Sequence, residues 1–310
     1  MRSPVALLIF NRPAHTQRVF EAIARQKPEK LLVIADGPRS VDEAIDCAEA
    51  RSIIDLVDWD CDVSTNFSET NMGCRERVSS GISWVFEQCE EAIILEDDCL
   101  PHPTFFRFCD ELVERYRYDE RVMVISGDNF QAGHKRGMHS YYFSAYNHVW
   151  GWASWRRAWK LYDPGMKGWP ERRGTSWLME TCQTPAAARF WRDKFDQVYS
   201  GRIDTWDYQW TFACWLHHGL SVLPNVNLVS NIGFGGKATH TGDPTSVLAN
   251  IPPEEMKFPL QHPTTVTRDE EADAYTSDKF HRPRAPFLSR AVRRGIRILH
   301  PAPSSADSPP

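Results

Sequence analysis

Absences narrow this chain first. Its eight Cys (47, 61, 74, 89, 99, 109, 182 and 214) contain no C-x-x-C pair and no tight spacing. Reduced thiols in a cytoplasmic protein are therefore expected rather than a disulfide framework. No window approaches the roughly 18 apolar residues that a membrane span requires. The only early apolar run is interrupted by Asn11-Arg12-Pro13, so no secretory signal is read there. The segment following that run, NRPAHT, lacks glycine and with it a glycine-rich phosphate loop. Positive charge is not in excess: 36 Lys and Arg stand against 41 Asp and Glu, a net charge of −5. That balance argues against nucleic acid as a partner. No internal repeat is found.

What remains is ordinary for a soluble globular protein, with 42% hydrophobic and 25% charged residues in 310. That length suffices for one large domain or two small ones. Twelve Trp are many. They suit either a Trp-rich core or flat faces for carbohydrate, and composition does not choose between these.

Apolar runs alternate with helical patterns through the first 130 residues. Val5–Phe10, Leu31–Ala35, Ala92–Leu95 and Val122–Ile125 are short and continuous, as buried parallel strands are. A weaker strand lies near Cys61–Ser64. Helices are predicted from about Ala14, over Val41–Val57 (Ala44, Ala48, Ile53 and Leu56 on one face), over Arg75–Cys89 and over Thr104–Tyr116. This spacing specifies an α/β fold with a mostly parallel central sheet and helices on both faces. Beyond it, Gly165–Arg189 reads as irregular and Asp204–His217 as partly helical. Leu220–Val229 reads as strand, turn and strand, and the charged, proline-rich stretch after about Pro252 as less compact.

One stretch carries chemistry on its face. In EAIILEDDCLP (91–101), an apolar strand ends in Glu96, Asp97 and Asp98 and is turned by Pro101. Ligands of open α/β sheets bind at the carboxyl ends of strands. Three adjacent carboxylates repel one another unless a cation or a polyol shares them. Asp98, last of the three, is the candidate metal ligand for Mn2+ or Mg2+, hard ions that take one or two carboxylates with phosphate oxygens and water. Asn11 and Arg12 end the first strand, where Arg12 can meet base or phosphate, and Arg77 is a weaker diphosphate contact. In the glycine-rich loop IGFGGKATHTGD (232–243), His240 is placed to complete a metal sphere and Lys237 to neutralise phosphate. Trp150, Trp152 and Trp155 are candidate stacking faces.

The order of these motifs resembles the GT-A glycosyltransferases: apolar strand then NRP, strand then DG, strand then EDD, a helix with FF, and later WD followed by FGGKATH. Within them it is similar to the group holding eukaryotic N-acetylglucosaminyltransferase I and bacterial hemolytic-protein-like proteins. The likeness spans about residues 4–245. It implies a Rossmann-like domain over about 1–280, with a nucleotide-binding half (about 1–130), an acceptor-binding half (about 131–250) and a basic tail (281–310). It also implies a nucleotide-diphosphate sugar donor, with Asp97 on the ribose and Asp36 on the base. A carboxylate accepts the imide N–H of uracil, which points to UDP. The resemblance places Asp207, in TWDYQW, as the base of an inverting transfer; Asp204 is its rival, although an N-capping role suits Asp204 well. A sugar-nucleotide pyrophosphorylase, or a non-catalytic sugar-binding protein, is the alternative. The acceptor, a glycan or lipid-linked hydroxyl, is not specified. The basic amphipathic segment 287–300 permits peripheral contact with an anionic inner membrane.

Overall fold

The structure, a computed structural model, describes residues 1–235 and 245–281. The strands are β1 Val5–Ile9, β2 Lys30–Ala35, β3 Asp62–Phe67, β4 Glu91–Glu96, β5 Cys99–Pro101, β6 Val122–Ser126, β7 Tyr141–Ser144, β8 Trp152–Trp155, β9 Leu220–Pro224 and β10 Val229–Asn231. The longer helices are α1 Pro13–Ala24, α2 Val41–Ser52, α3 Cys74–Gln88 and α4 Pro103–Arg115. Two single turns follow, α5 Arg156–Trp159 and α6 Trp169–Arg172, then α7 Trp177–Cys182, α8 Pro185–Tyr199, α9 Asp207–Leu216 and α10 Glu270–Phe280.

Eight strands form one sheet in the order β3-β2-β1-β4-β8-β6-β9-β7, and β5 pairs with β10 in a separate ribbon. β1 pairs in parallel with β2 and β4, β2 with β3, and β6 with β9; β8 and β7 run antiparallel to their neighbours. The α/β class with a mostly parallel sheet is thus the one the alternating runs specified. Side chains alternate across each strand. Val5, Leu7 and Ile9 join Val33, Leu95, α1 and α4 on one face, while Ala6 and Leu8 join Ile34, Ile94, α3, α8 and α9 on the other. Each fully buried Leu or Ile contributes about 1.5–3 kcal/mol of hydrophobic stabilisation. Nearly all of β1, β2 and β4 is buried in this way.

Several expectations are corrected. The helix from Val41 stops at Ser52, and a 3-10 turn covers Ile53–Leu56. Its buried face is Cys47, Ala50, Ile53 and Ile54; Leu56 is exposed. Residues 165–189 hold three helical segments rather than an irregular stretch. The strands either side of Pro224 do not pair with each other: β9 lies in the large sheet, and β10 crosses to β5. The chain after Pro252 remains packed as far as it is described. The Asp269 amide donates to the Phe143 carbonyl at 2.8 Å, and buried Asp273 receives Ser144, the Ala145 amide and Arg268. This segment covers the edge strand β7, whose four residues are all buried.

The Trp content belongs mainly to the core. Eight of the twelve lie buried in the cluster beneath α8 and α9 (Trp152, 159, 169, 177, 191, 206, 210 and 215). All eight cysteines are free thiols. Among the described residues, no helix is long and apolar enough to cross a membrane.

Candidate active site

The acidic tip is positioned by pairing on both sides. β4 lies beside β1 in parallel register, Leu8 opposite Glu96, so Asn11 and Arg12 leave β1 next to Asp97 and Asp98. β5 then pairs with β10, Cys99 opposite Asn231, and the Ile232 amide donates to the Asp98 carbonyl at 2.8 Å. The start of the glycine-rich segment is therefore held against Asp98. Gly233 is required there on grounds of space: a Cβ would stand 2.0 Å from Asp98 Oδ2 and 2.8 Å from Arg12 Nη1.

Two cavities meet at this tip. One, of about 310 Å3, is bordered by Asn11, Arg12, Asp36, Arg77, Glu96 and Asp97. The second, of about 200 Å3, is bordered by Arg12, Glu96, Asp98, Trp150, Asp207 and Asn231. Arg12, Cys74 and Glu96 line both. The triplet divides between them: Asp97 faces the cavity under β1 and β2, Asp98 faces the one that holds Asp207, and Glu96 borders each. A larger cavity of about 970 Å3 between α3 and α5 contains none of the predicted site residues. Arg156 in its wall is already engaged by Glu90 and the Phe86 carbonyl. The converging carboxylates, not size, place the chemistry in the smaller pair.

Arg12 is the one cation in contact with the triplet among the described residues. Its Nη1 lies 2.9 Å from Asp98 Oδ2, and its Nη2 is paired with Asp97 Oδ1. Asp97 also accepts the Phe10 amide at 3.3 Å. Burial raises the Glu96 and Asp97 carboxyls; neighbouring acid charges add to this for both, and Arg12 opposes it. Burial pulls the Arg12 guanidinium down, but Asp97 and Asp98 outweigh it and hold the group firmly charged. Burial thus disfavours the charged forms of Glu96 and Asp97, and Arg12 is the charge that offsets this.

Asp207 is the first residue of α9 and borders the second cavity, with the Thr205 hydroxyl donating to its Oδ1. Asp204 is employed differently: its Oδ2 accepts the Cys74 amide at 3.1 Å. It closes the N-terminus of α3, where Gly73 offers no capping side chain.

Two expected contacts are corrected, those of Asp36 and of Trp152 with Trp155. Asp36 is filled by its own loop: Oδ1 accepts the Gly37 and Met72 amides at 2.8 and 2.9 Å, and Oδ2 accepts Asn71 Nδ2 and the Gly73 amide at 3.0 and 3.2 Å. Four donors occupy the lone-pair positions of a carboxylate, so none is left for a uracil imide. Arg77 borders the first cavity, but its guanidinium donates to the Ala35 carbonyl at 3.1 Å and to Asn66 of β3. These bonds brace β2 and β3 through Nε and Nη2, and the diphosphate contact expected of Arg77 is left to the proposal below. Trp152 and Trp155 are 0% and 1% exposed, core residues rather than stacking faces. Trp150 alone of the three borders the site, edge-on to Phe130 and Phe234. Asn11 borders the first cavity while donating to Glu43 at 2.6 Å. Lys237, His240 and the 287–300 segment lie outside the described residues.

Sequence reasoning missed Asn231, Cys74 and Asp128. Asp128, at the end of β6, is buried; its Oδ2 accepts the Trp150 amide at 3.1 Å, and burial pushes its carboxyl far up. The SGDN that closes β6 was the available signal, since Asp128 is also an acid at a strand's carboxyl end.

The donor set suits a hard divalent cation in part. Asp98 and Glu96 supply carboxyl oxygens at the border of the second cavity. Among the described residues, no group of three His, Cys, Asp or Glu is arranged to hold a metal. Ligation by one or two carboxylates, completed by phosphate oxygens and water, fits what is present.

No protein-family model matches the sequence, and no curated protein matches it either. Similar solved structures include galactosyltransferase LgtC in complex with donor and acceptor sugar analogs, at 10% identity over 69% of this chain and 70% of that one, with a TM-score of 0.35. Mouse xyloside xylosyltransferase 1 is similar at 9% identity over 70% and 83%, with a TM-score of 0.36. CMP:2-keto-3-deoxy-manno-octonic acid synthetase complexed with CTP is similar at 16% identity over 52% and 77%, with a TM-score of 0.32.

Proposed function

We propose that this chain is a GT-A glycosyltransferase that moves a sugar from a nucleoside-diphosphate donor to a hydroxyl acceptor, with inversion and with a divalent metal, Mn2+ or Mg2+. The supporting observation is the convergence of Asp97, Asp98, Glu96 and Arg12 at the ends of adjacent parallel strands, with Asp207 facing Arg12, Glu96 and Asp98 across the second cavity. The nucleotide lies in the cavity under β1 and β2, its ribose toward Asp97. The diphosphate lies at the tip, near Arg12 and Asp98; Arg77 and Lys237 as phosphate contacts and His240 as a metal ligand are kept from the sequence alone. A divalent ion held by Asp98 would neutralise charge on the departing diphosphate. Asp207 takes the proton of the attacking hydroxyl, and the new bond forms opposite the one that breaks. Thr205 orients that carboxylate, and Trp150 walls the acceptor side.

UDP remains the donor nucleotide to test first, with UDP-GlcNAc as the sugar form, although Asp36 no longer supplies the reason. The acceptor is a glycan or a lipid-linked sugar, with the basic C-terminal segment available for membrane contact. The deciding experiment is a screen of nucleotide sugars for metal-dependent hydrolysis, because slow transfer to water needs no known acceptor. Release of nucleoside diphosphate from one donor, abolished by Asp98→Ala, supports the reading. Release of pyrophosphate from a nucleoside triphosphate and a sugar phosphate would instead establish nucleotidyl transfer.

A further inference from the structure

Arg12 occupies an unusual place in this site. One guanidinium spans two consecutive carboxylates, and the three side chains are enclosed at 18%, 3% and 11% exposure. Any cation on Asp98 Oδ2 would therefore stand against a group that already carries positive charge. The Gly233 main chain crowds the same pair: a Cβ there would stand 2.0 Å from Asp98 Oδ2 and 2.8 Å from Arg12 Nη1. Metal and guanidinium thus compete for the same oxygen.

Arg12 also has somewhere to go. Arg12 borders both cavities described above and a third, of about 490 Å3, at the start of α1. Pro13, His15 and Phe234 border that third space. A diphosphate arriving at the tip supplies oxygens to which a guanidinium donates two parallel hydrogen bonds. We infer that Arg12 is the resident counter-ion of the acidic tip, and that divalent metal and nucleoside diphosphate enter together by drawing its guanidinium from Asp97 and Asp98 to the phosphates.

The exchange conserves charge locally. Asp98 trades a guanidinium for a metal ion, and the guanidinium trades carboxylates for phosphate. Metal alone offers Arg12 no new partner, so metal alone binds weakly. The inference rests on the donor reading above, and its test separates the two.

The test is a Mn2+ titration followed by the paramagnetic resonance signal of the free ion, with and without UDP. Wild type, Arg12→Met and Arg12→Lys are compared. Wild type is expected to bind Mn2+ weakly alone and tightly with UDP. Arg12→Met is expected to bind Mn2+ alone roughly tenfold more tightly or better, since a contacting like charge has gone. Arg12→Lys, which keeps the charge, is expected to stay near wild type. Equal Mn2+ affinity in wild type and Arg12→Met, with UDP-dependent binding intact in wild type, overturns the inference and leaves the donor reading standing. Absence of UDP-dependent Mn2+ binding in wild type overturns both. Should Arg12→Met fail to fold, a crystal structure of the wild type with UDP and Mn2+ decides. A guanidinium off Asp98 supports the exchange; one still bridging both carboxylates ends it.

Discussion

The Asp204 carboxylate accepts the backbone amide of Cys74 at 3.1 Å, across 130 residues of chain. The contact joins the loop before α9 to the first turn of α3, so the two halves of the candidate site share a hydrogen bond. It also separates two acids that lie three residues apart in sequence. Asp204 caps a helix terminus at the border of the first cavity, while Asp207 borders the second. Asp204→Ala is expected to lower stability by about 1 kcal/mol, the usual cost of losing a cap, and to loosen the wall formed by Cys74. Chemical denaturation checks the first part. Activity of the folded variant should persist, reduced by less than that of Asp207→Asn.

Asp207→Asn keeps the shape of the side chain and removes its basicity. Transfer is expected to fall by about 10^2 to 10^4, the range for loss of a positioned general base. UDP and Mn2+ should still raise the thermal midpoint, because Asp207 does not touch the nucleotide side of the site. Turnover near the wild-type rate would place the base elsewhere.

The strand ends were readable because buried parallel strands are continuous apolar runs, and acids placed after them stand at the carboxyl edge whatever the rest of the chain does. The division of Asp97 from Asp98 came from the family resemblance and not from periodicity, because both acids lie in the turn after β4. The partners of those acids were not readable. Arg12 meets Asp97 across 85 residues, and periodicity says nothing about such distances. Asp36 looked available because three of the four donors that fill it come from 71–73, a loop whose fold back over β2 has no local signature. Trp152 and Trp155 looked like Trp150 because one aromatic run feeds both the core and the site. The pairing of β10 with β5 escaped for the same reason as Arg12: the intervening chain is long, and the strands are three residues each.

Gly233 tests how closely the tip is packed. The Gly233→Ala methyl would collide with Asp98 Oδ2, and the main chain there is held by the Ile232 amide bond to the Asp98 carbonyl at 2.8 Å. The clash falls on the Arg12–Asp98 pair rather than on the core beneath it. The variant is expected to fold and to lose most of the UDP and Mn2+ thermal shift. An unchanged shift would show that Asp98 does not need its present position.

Two partly buried imidazoles make stability depend on pH. Burial lowers His148 from its ordinary 6.5 to about 4, and burial with the nearby charge of His148 lowers His281 to about 3. His148 packs on the Phe130 ring at 4.4 Å. With folded pKa values depressed, the unfolded chain binds more protons between these values and about 6.5. Stability is therefore full above about pH 6.5 and is lost as pH falls toward 4. Thermal midpoints of wild type and His148→Leu, compared from pH 7 down to pH 4.5, should differ in slope. The variant should be the flatter of the two. Equal slopes would mean that His148 finds a proton acceptor in the folded chain.

Trp150 and Trp152 lie two residues apart and answer to different forces. Trp152 is 0% exposed and is stacked on Trp206 with centroids 5.7 Å apart, against Trp159 and Trp210 beneath the sheet. Cutting it to Ala removes a large side chain from a site that cannot collapse around the loss, at a cost of about 3–5 kcal/mol. Trp150 is only partly buried, its indole meets Phe130 and Phe234 edge-on, and its amide, which any residue would retain, supplies the bond to Asp128. Trp150→Ala should therefore cost much less stability, and its larger effect should fall on transfer. Denaturation midpoints and donor hydrolysis, measured on both variants, separate the roles. If Trp150→Ala lost as much stability as Trp152→Ala while hydrolysing donor normally, Trp150 would belong to the core with the other tryptophans, and the acceptor side of the site would have no aromatic wall.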